Sequence, residues 1–160
     1  MLVDFNSLPD NSKVWIYQSN KEFSKKQQDK ISVLLDNFVD FWTHHGDDIK
    51  GSYDIKYGHF IILAIDESYN AISGCSIDAS INIISEIENK YGVELLNRMN
   101  TAFRDGENIN IVSLPDFQKY AKMQKILPET IVFNNMITTK EELKNEWEVK
   151  ANQSWHKRYF

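Results

Sequence analysis

The chain has 160 residues, enough for one domain with a sizeable core. Nine Phe, seven Tyr and four Trp argue against a disordered chain, and 23 acidic against 18 basic side chains leave a formal charge of −5, which disfavours nucleic acid as a partner. A single cysteine excludes an internal disulfide and fits a reducing compartment. MLVDFNSLPDNSK lacks a basic stretch followed by an apolar one, so no signal peptide is expected. No segment reaches the roughly 18 apolar residues of a membrane span. A cytoplasmic location is the expectation.

In chain order, Val14-Trp15-Ile16-Tyr17 reads as the first strand. Ser24 and Gln27 have capping-box spacing, so a helix should start there and run to about Thr43. Ile31, Leu34, Leu35, Phe38, Phe41 and Trp42 would form its apolar face. His44-His45-Gly46-Asp47-Asp48 offers metal-ligand chemistry, but adjacent histidines lack the spacing that puts two imidazoles on one helix face. No metal is expected. The stretch reads instead as a helix end, capped at Gly46, with solvated aspartates.

Tyr53 to Tyr57 alternates and reads as a half-buried strand, followed by a two-residue turn at Gly58-His59. Phe60 to Ile65 is continuously apolar and should be a central strand covered on both faces. After it come Asp66-Glu67 and a small, polar loop. A helix follows from about Ser76, with Ile77, Ile81, Ile84, Ile87 and Tyr91 inward and Gly92 as its stop. Ser73 or Ser76 would cap it, and Asp78 in its first turn would meet the positive helix end.

Further on, Asp105-Gly106 signals a hairpin between Thr101-Ala102-Phe103 and Ile109 to Val112. Ser113, Pro115 and Asp116 open a third helix, with Phe117 and Ala121 inward and Pro128 ending it. Thr130 to Phe133 should be the last strand. Thr139 to Glu142 opens a fourth helix, on which Leu143 and Trp147 pair four residues apart. The order predicts an α+β domain over 1–160. It would hold a single antiparallel or mixed sheet with helices mainly on one face, a ferredoxin-like (split βαβ) core and an aromatic and basic tail over 148–160.

NSLPDNSKVWIYQSN, FIILAIDESYNAISGCSIDAS, TIVFNN with TTK, and NEWEVKANQSWHKR resemble a family of small Bacteroidetes proteins, across nearly the whole chain. Its members often carry the label "ABC transporter ATPase". That label implies a GxxxxGK[ST] phosphate loop. This sequence has none, and Gly74 is followed by Cys-Ser-Ile-Asp. The resemblance implies no catalytic residues.

Three functions are compatible with these residues. One is a non-enzymatic binding or protein-interaction module, whose tail offers Trp155, His156 and Arg158 to a protein partner. Another is a small hydrolase or transferase. It would use Cys75 as nucleophile near a helix N-terminus, Asp66 or Glu67 as acid or base, and a partner among His44, His45, His59 and His156. The last is anion or nucleotide binding, without hydrolysis, at Ser73, Gly74, Ser76 and Asp78. No cofactor follows from any motif.

Overall fold

A computed structural model describes all residues, Met1–Phe160. The fold is α+β, with four α-helices and three antiparallel sheets. The chain divides into two compact units, Met1–Leu96 with Thr138–Glu141, and Asn97–Ile137 with Glu142–Phe160. No helix is long and apolar enough to cross a membrane.

The first unit holds strands β1 (Lys13–Gln18), β2 (Thr43–His44), β3 (Asp47–Asp48), β4 (Gly51–Lys56) and β5 (Phe60–Ile65), with helices α1 (Lys25–Asp40) and α2 (Gly74–Tyr91). Its main sheet has the order β1-β5-β4, with β5 antiparallel to both neighbours. All six residues of β5 are buried. An uninterrupted apolar run has no side to offer water, so it takes the middle of the sheet. The capping box of α1 forms as read: Gln27 N–H donates to Ser24 Oγ at 3.1 Å, and Ser24 N–H to Gln27 Oε1 at 2.9 Å. Ile31 and Leu35 of α1 and Ile84 and Ile87 of α2 then pack with Ile61 and Leu63 of β5 in one cluster. Each such side chain contributes about 1.5–3 kcal/mol by leaving water.

Several local expectations need correction. Helix α1 ends at Asp40, not Thr43, and Phe41 is 76% exposed. The chain turns there so that Trp42 can join Ile49 and Ile65 in a separate cluster. His44 to Asp48 is not a helix end and a loop but the β2–β3 hairpin. Both central residues, His45 and Gly46, are left-handed, at φ 50° and 84°. Two positive φ values match the right-handed strand twist in a two-residue turn. The β4–β5 turn falls one residue earlier than read, on Tyr57 and Gly58 (φ 57° and 67°). His59 is buried instead, and its Nδ1 lies 3.0 Å from the Ser19 carbonyl.

Helix α2 starts at Gly74, two residues earlier than read, with Ser73 as its cap and Gly92 as its left-handed stop at φ 62°. Asp78 therefore lies beyond the first turn, and no acidic residue stands within it. The inward positions at this end belong to Ser76 and Ser80 rather than Ile77 and Ile81, and Ile81 is 39% exposed. Ser76 Oγ donates to the Thr43 carbonyl of β2 at 3.1 Å. A small side chain at that position lets the helix approach the hairpin.

The second unit holds β6 (Asn100–Asp105), β7 (Asn108–Ser113), α3 (Leu114–Lys122), β8 (Ile131–Phe133) and β9 (Glu148–Lys150). Helix α4 (Lys140–Asn145) begins in the first unit and ends in the second. The β6–β7 hairpin forms, but its two-residue turn falls on Gly106 and Glu107, one residue later than Asp105-Gly106, with Gly106 at φ 62°. Ser113 caps α3, accepting from Asp116 N–H at 3.3 Å, and Phe117 and Ala121 face inward. The helix ends at Lys122, well before Pro128. The strand over Ile131–Phe133 is not the last, because β9 pairs with it, Val132 opposite Val149. Helix α4 is only six residues long, so Trp147 lies beyond it; Trp147 is nevertheless buried, with Nε1 donating to Asn135 Oδ1 at 2.9 Å.

The expectation of one sheet is thus overturned. A ferredoxin-like sheet needs the strand after α2 to join β1. Here that strand, β6, pairs with β7 and β8 in an antiparallel sheet of order β7-β6-β8-β9.

Candidate functional site

The turn after β5 places the sequence-derived candidates near one another in the chain but ties them to different neighbours. Asp66 is buried; its Oδ1 accepts from Ser68 N–H at 3.0 Å and Ser68 Oγ at 2.5 Å, and Oδ2 faces Lys50 Nζ at 3.7 Å. Glu67 pairs with Lys13 at 3.2 Å. Cys75 is exposed, and no hydrogen bond links it to Asp66, Glu67 or a histidine.

The same loop uses its own capping groups. Ser73 Oγ accepts the Ser76 N–H at 3.3 Å, and Ser76 Oγ is committed to Thr43. The indole of Trp42 donates to the Ser76 carbonyl at 3.0 Å. Gly74 has a negative φ and open space where a Cβ would stand, so neither turn geometry nor a close backbone approach requires glycine there. Asp78 is exposed. These contacts serve the helix start.

The tail is part of the second unit's core. Two short 3-10 turns, Ala151–Gln153 and Trp155–Tyr159, lead it back, and Phe117 of α3 meets the rings of His156 at 5.4 Å, Tyr159 at 6.1 Å and Phe160 at 6.3 Å. His156 is fully buried and stacks on Trp155 at 3.8 Å, while its Nδ1 sits 2.5 Å from Ser154 Oγ. Its Nε2 is buried with no hydrogen-bond partner. Burial pushes the imidazole down from 6.5 to about 4. Of the three tail residues read as partner contacts, Trp155 is 36% exposed and Arg158 is exposed, whereas His156 is not available to a partner.

The first unit carries a different feature, a cleft of about 610 Å³ between the edge of β4, helix α1 and residues 2–5. It follows from strand order, which leaves β4 at the rim of the sheet. The phase of β4 can be read from its ladder. Asp66 N–H donates to the Lys50 carbonyl at 2.9 Å, so Lys50 turns its backbone toward β5. By alternation Ser52 and Asp54 do the same, and Gly51, Tyr53 and Ile55 turn their N–H and C=O groups outward.

At Gly51 the outward groups are used. Gly51 N–H donates to the Met1 carbonyl at 3.1 Å, and Val3 N–H to the Gly51 carbonyl at 3.0 Å. Leu2 thereby pairs with Gly51 in parallel. The N-terminal segment then leaves the edge, because Asp4 caps a 3-10 turn over Phe5–Ser7 by accepting Asn6 N–H at 3.0 Å. Beyond that departure the outward backbone groups of Tyr53 and Ile55 open on the cleft.

Four aspartates, Asp4, Asp29, Asp36 and Asp54, and one lysine, Lys25, line it. Lys25 is engaged by Asp29 at 3.2 Å. The phenol of Tyr53 donates to Asp36 Oδ1 at 2.6 Å and lies 3.1 Å from the Ser32 carbonyl. Burial first, and the Asp36 carboxylate second, push it up to about 12, so it stays a donor through the physiological range. The cleft thus combines unpaired main-chain donors and acceptors with a negative wall. The one sequence signal for it was the alternation of residues 53–57, which marks a half-buried strand without saying that its edge is open.

No family model matches the chain, and no curated protein or solved structure is significantly similar to it.

Proposed function

We propose that the protein is a non-enzymatic interaction module that receives its partner along the cleft between β4 and α1. The observation that carries this reading is the edge of β4 at Tyr53 and Ile55, whose outward backbone groups face an open cleft. A sheet edge of this kind is a template for another chain unless it is covered. The internal commitments of Asp66, Glu67 and Ser76 favour the cleft over the Ser73–Asp78 turn as the place where a ligand is met.

Selection of random peptides displayed against the full chain tests this. Peptides are expected to enrich on the wild type and to lose binding when Gln28, which lines the cleft, is changed to Trp. Enriched peptides that bind the Gln28→Trp variant equally well, or that fail only when Arg158 or Trp155 is changed, would move the interaction elsewhere.

A further inference from the structure

We infer that the occupant of the cleft is an extended, lysine- or arginine-rich peptide segment of a partner protein, added to the sheet as a strand beside β4. This inference rests on the reading of the cleft as the interaction site. It goes further by naming the conformation and charge of what enters.

The conformation follows from the main chain. Tyr53 and Ile55 present two N–H and two C=O groups spaced as in a ladder, and only an extended backbone matches that spacing. The protein's own residues show that the edge accepts a strand, because Met1–Val3 pair with it at Gly51. That pairing stops where Asp4 turns away, so the incoming segment takes up the edge where the N-terminal segment leaves it.

The charge follows from the walls. On the α1 side stand Asp29 and Asp36, on the strand Asp54, and at the mouth Asp4, against Lys25 alone. Side chains of an added strand alternate between the two faces, so one set meets the α1 carboxylates and the other set meets Asp54. Cationic side chains satisfy both walls, and an acidic segment or a nucleic acid would be repelled. Main-chain bonding supplies the alignment, and charge supplies the choice of segment.

The test uses blocked eight-residue peptides of alternating Lys and Thr, with the full-length protein. Their affinity is followed by fluorescence anisotropy and their position by amide hydrogen exchange. The Lys-Thr peptide is expected to bind at least about tenfold more tightly than a Glu-Thr counterpart, with the gap shrinking as salt screens the pairs. The lysines of an alternating peptide all face one wall, so either Asp29→Asn or Asp54→Asn, and not both, should narrow that gap. The Tyr53 and Ile55 amides should gain protection.

Two N-methylated versions probe the backbone. One carries the methyl groups on every Lys nitrogen, the other on every Thr nitrogen. An added strand uses only alternate N–H groups, so one version should lose binding about tenfold and the other should keep it. Equal behaviour of the two, or unchanged Tyr53 and Ile55 amides, overturns strand addition. Equal affinity for the Glu-Thr and Lys-Thr peptides overturns the charge assignment. Either failure leaves the cleft itself to be judged by the displayed peptides, which carry any charge and any shape, and by their dependence on Gln28.

Discussion

In the first unit the sheet is covered by two helices of 16 and 18 residues, whereas in the second a helix of nine residues shares that role with two 3-10 turns of the C-terminal segment. The cores differ in material as well. Aliphatic side chains from successive helix turns dominate the first cluster: Ile31, Leu35, Ile84 and Ile87 against Ile61 and Leu63. Around Phe117 in the second, Phe103, His156, Tyr159 and Phe160 make ring contacts, mostly edge-on. A helical stripe buries area through many interchangeable contacts. A ring cluster depends on a few large side chains brought from distant parts of the chain, so each should matter more.

The largest effect that sharpens this contrast is expected from Phe117→Ala. Removing a fully buried ring from the centre of the aromatic cluster should cost about 3–5 kcal/mol, against about 2–5 kcal/mol for Leu35→Ala in the aliphatic core. Hydrogen exchange decides whether the cores respond separately. Amides of β6 and β8 should lose protection in Phe117→Ala while those of β5 keep theirs. Equal loss in β5 would make the two clusters one cooperative unit and break the comparison.

The next effect concerns pH and belongs to the second core alone. The unfolded chain protonates His156 near pH 6.5, the folded chain only near pH 4. Between these values the unfolded state binds more protons, so stability is present above about pH 6.5 and falls as the pH drops. The loss attributable to this residue should approach about 3 kcal/mol at pH 4. His156→Gln should flatten the acid limb of a stability profile by roughly that amount. A variant with the wild-type slope would show that the histidine is not held neutral by its burial.

The smallest effect tests the helix start in the first unit. Ser73→Ala removes the acceptor of the Ser76 N–H and should lower stability by about 1 kcal/mol. Cys75→Ser beside it, exposed and without a hydrogen bond, should change stability by less than about 0.5 kcal/mol. A larger loss from Cys75→Ser than from Ser73→Ala would reopen the thiol as a functional group.

Sequence alone determined the elements whose causes lie within a few residues. The unbroken apolar run of β5, the box at Ser24 and Gln27, the stop at Gly92, the cap at Ser113 and a hairpin around Gly106 all form, and of the two candidate caps for α2 the chain uses Ser73. Each depends on a hydrogen bond or dihedral that neighbouring side chains set for themselves. Only the tertiary structure decided which strands share a sheet, since an alternating or apolar run specifies burial and not a partner. It also decided the rotation of α2: the approach to the β2–β3 hairpin favoured Ser76 and Ser80 inside over Ile77 and Ile81, because the helix must come close to Thr43. The interleaved aromatic and basic tail reads either as a partner contact or as a segment folded back with its aromatics on the sheet, and the structure takes the second course, closing the core around Phe117, some 40 residues earlier in the chain. The open edge of β4 belongs to the same class. Residues 53–57 alternate as any half-buried strand does, and the cleft exists because no later strand takes the place beside them. Pairing across long separations is set by the sum of many contacts and by what is left uncovered, neither of which is written at any single position.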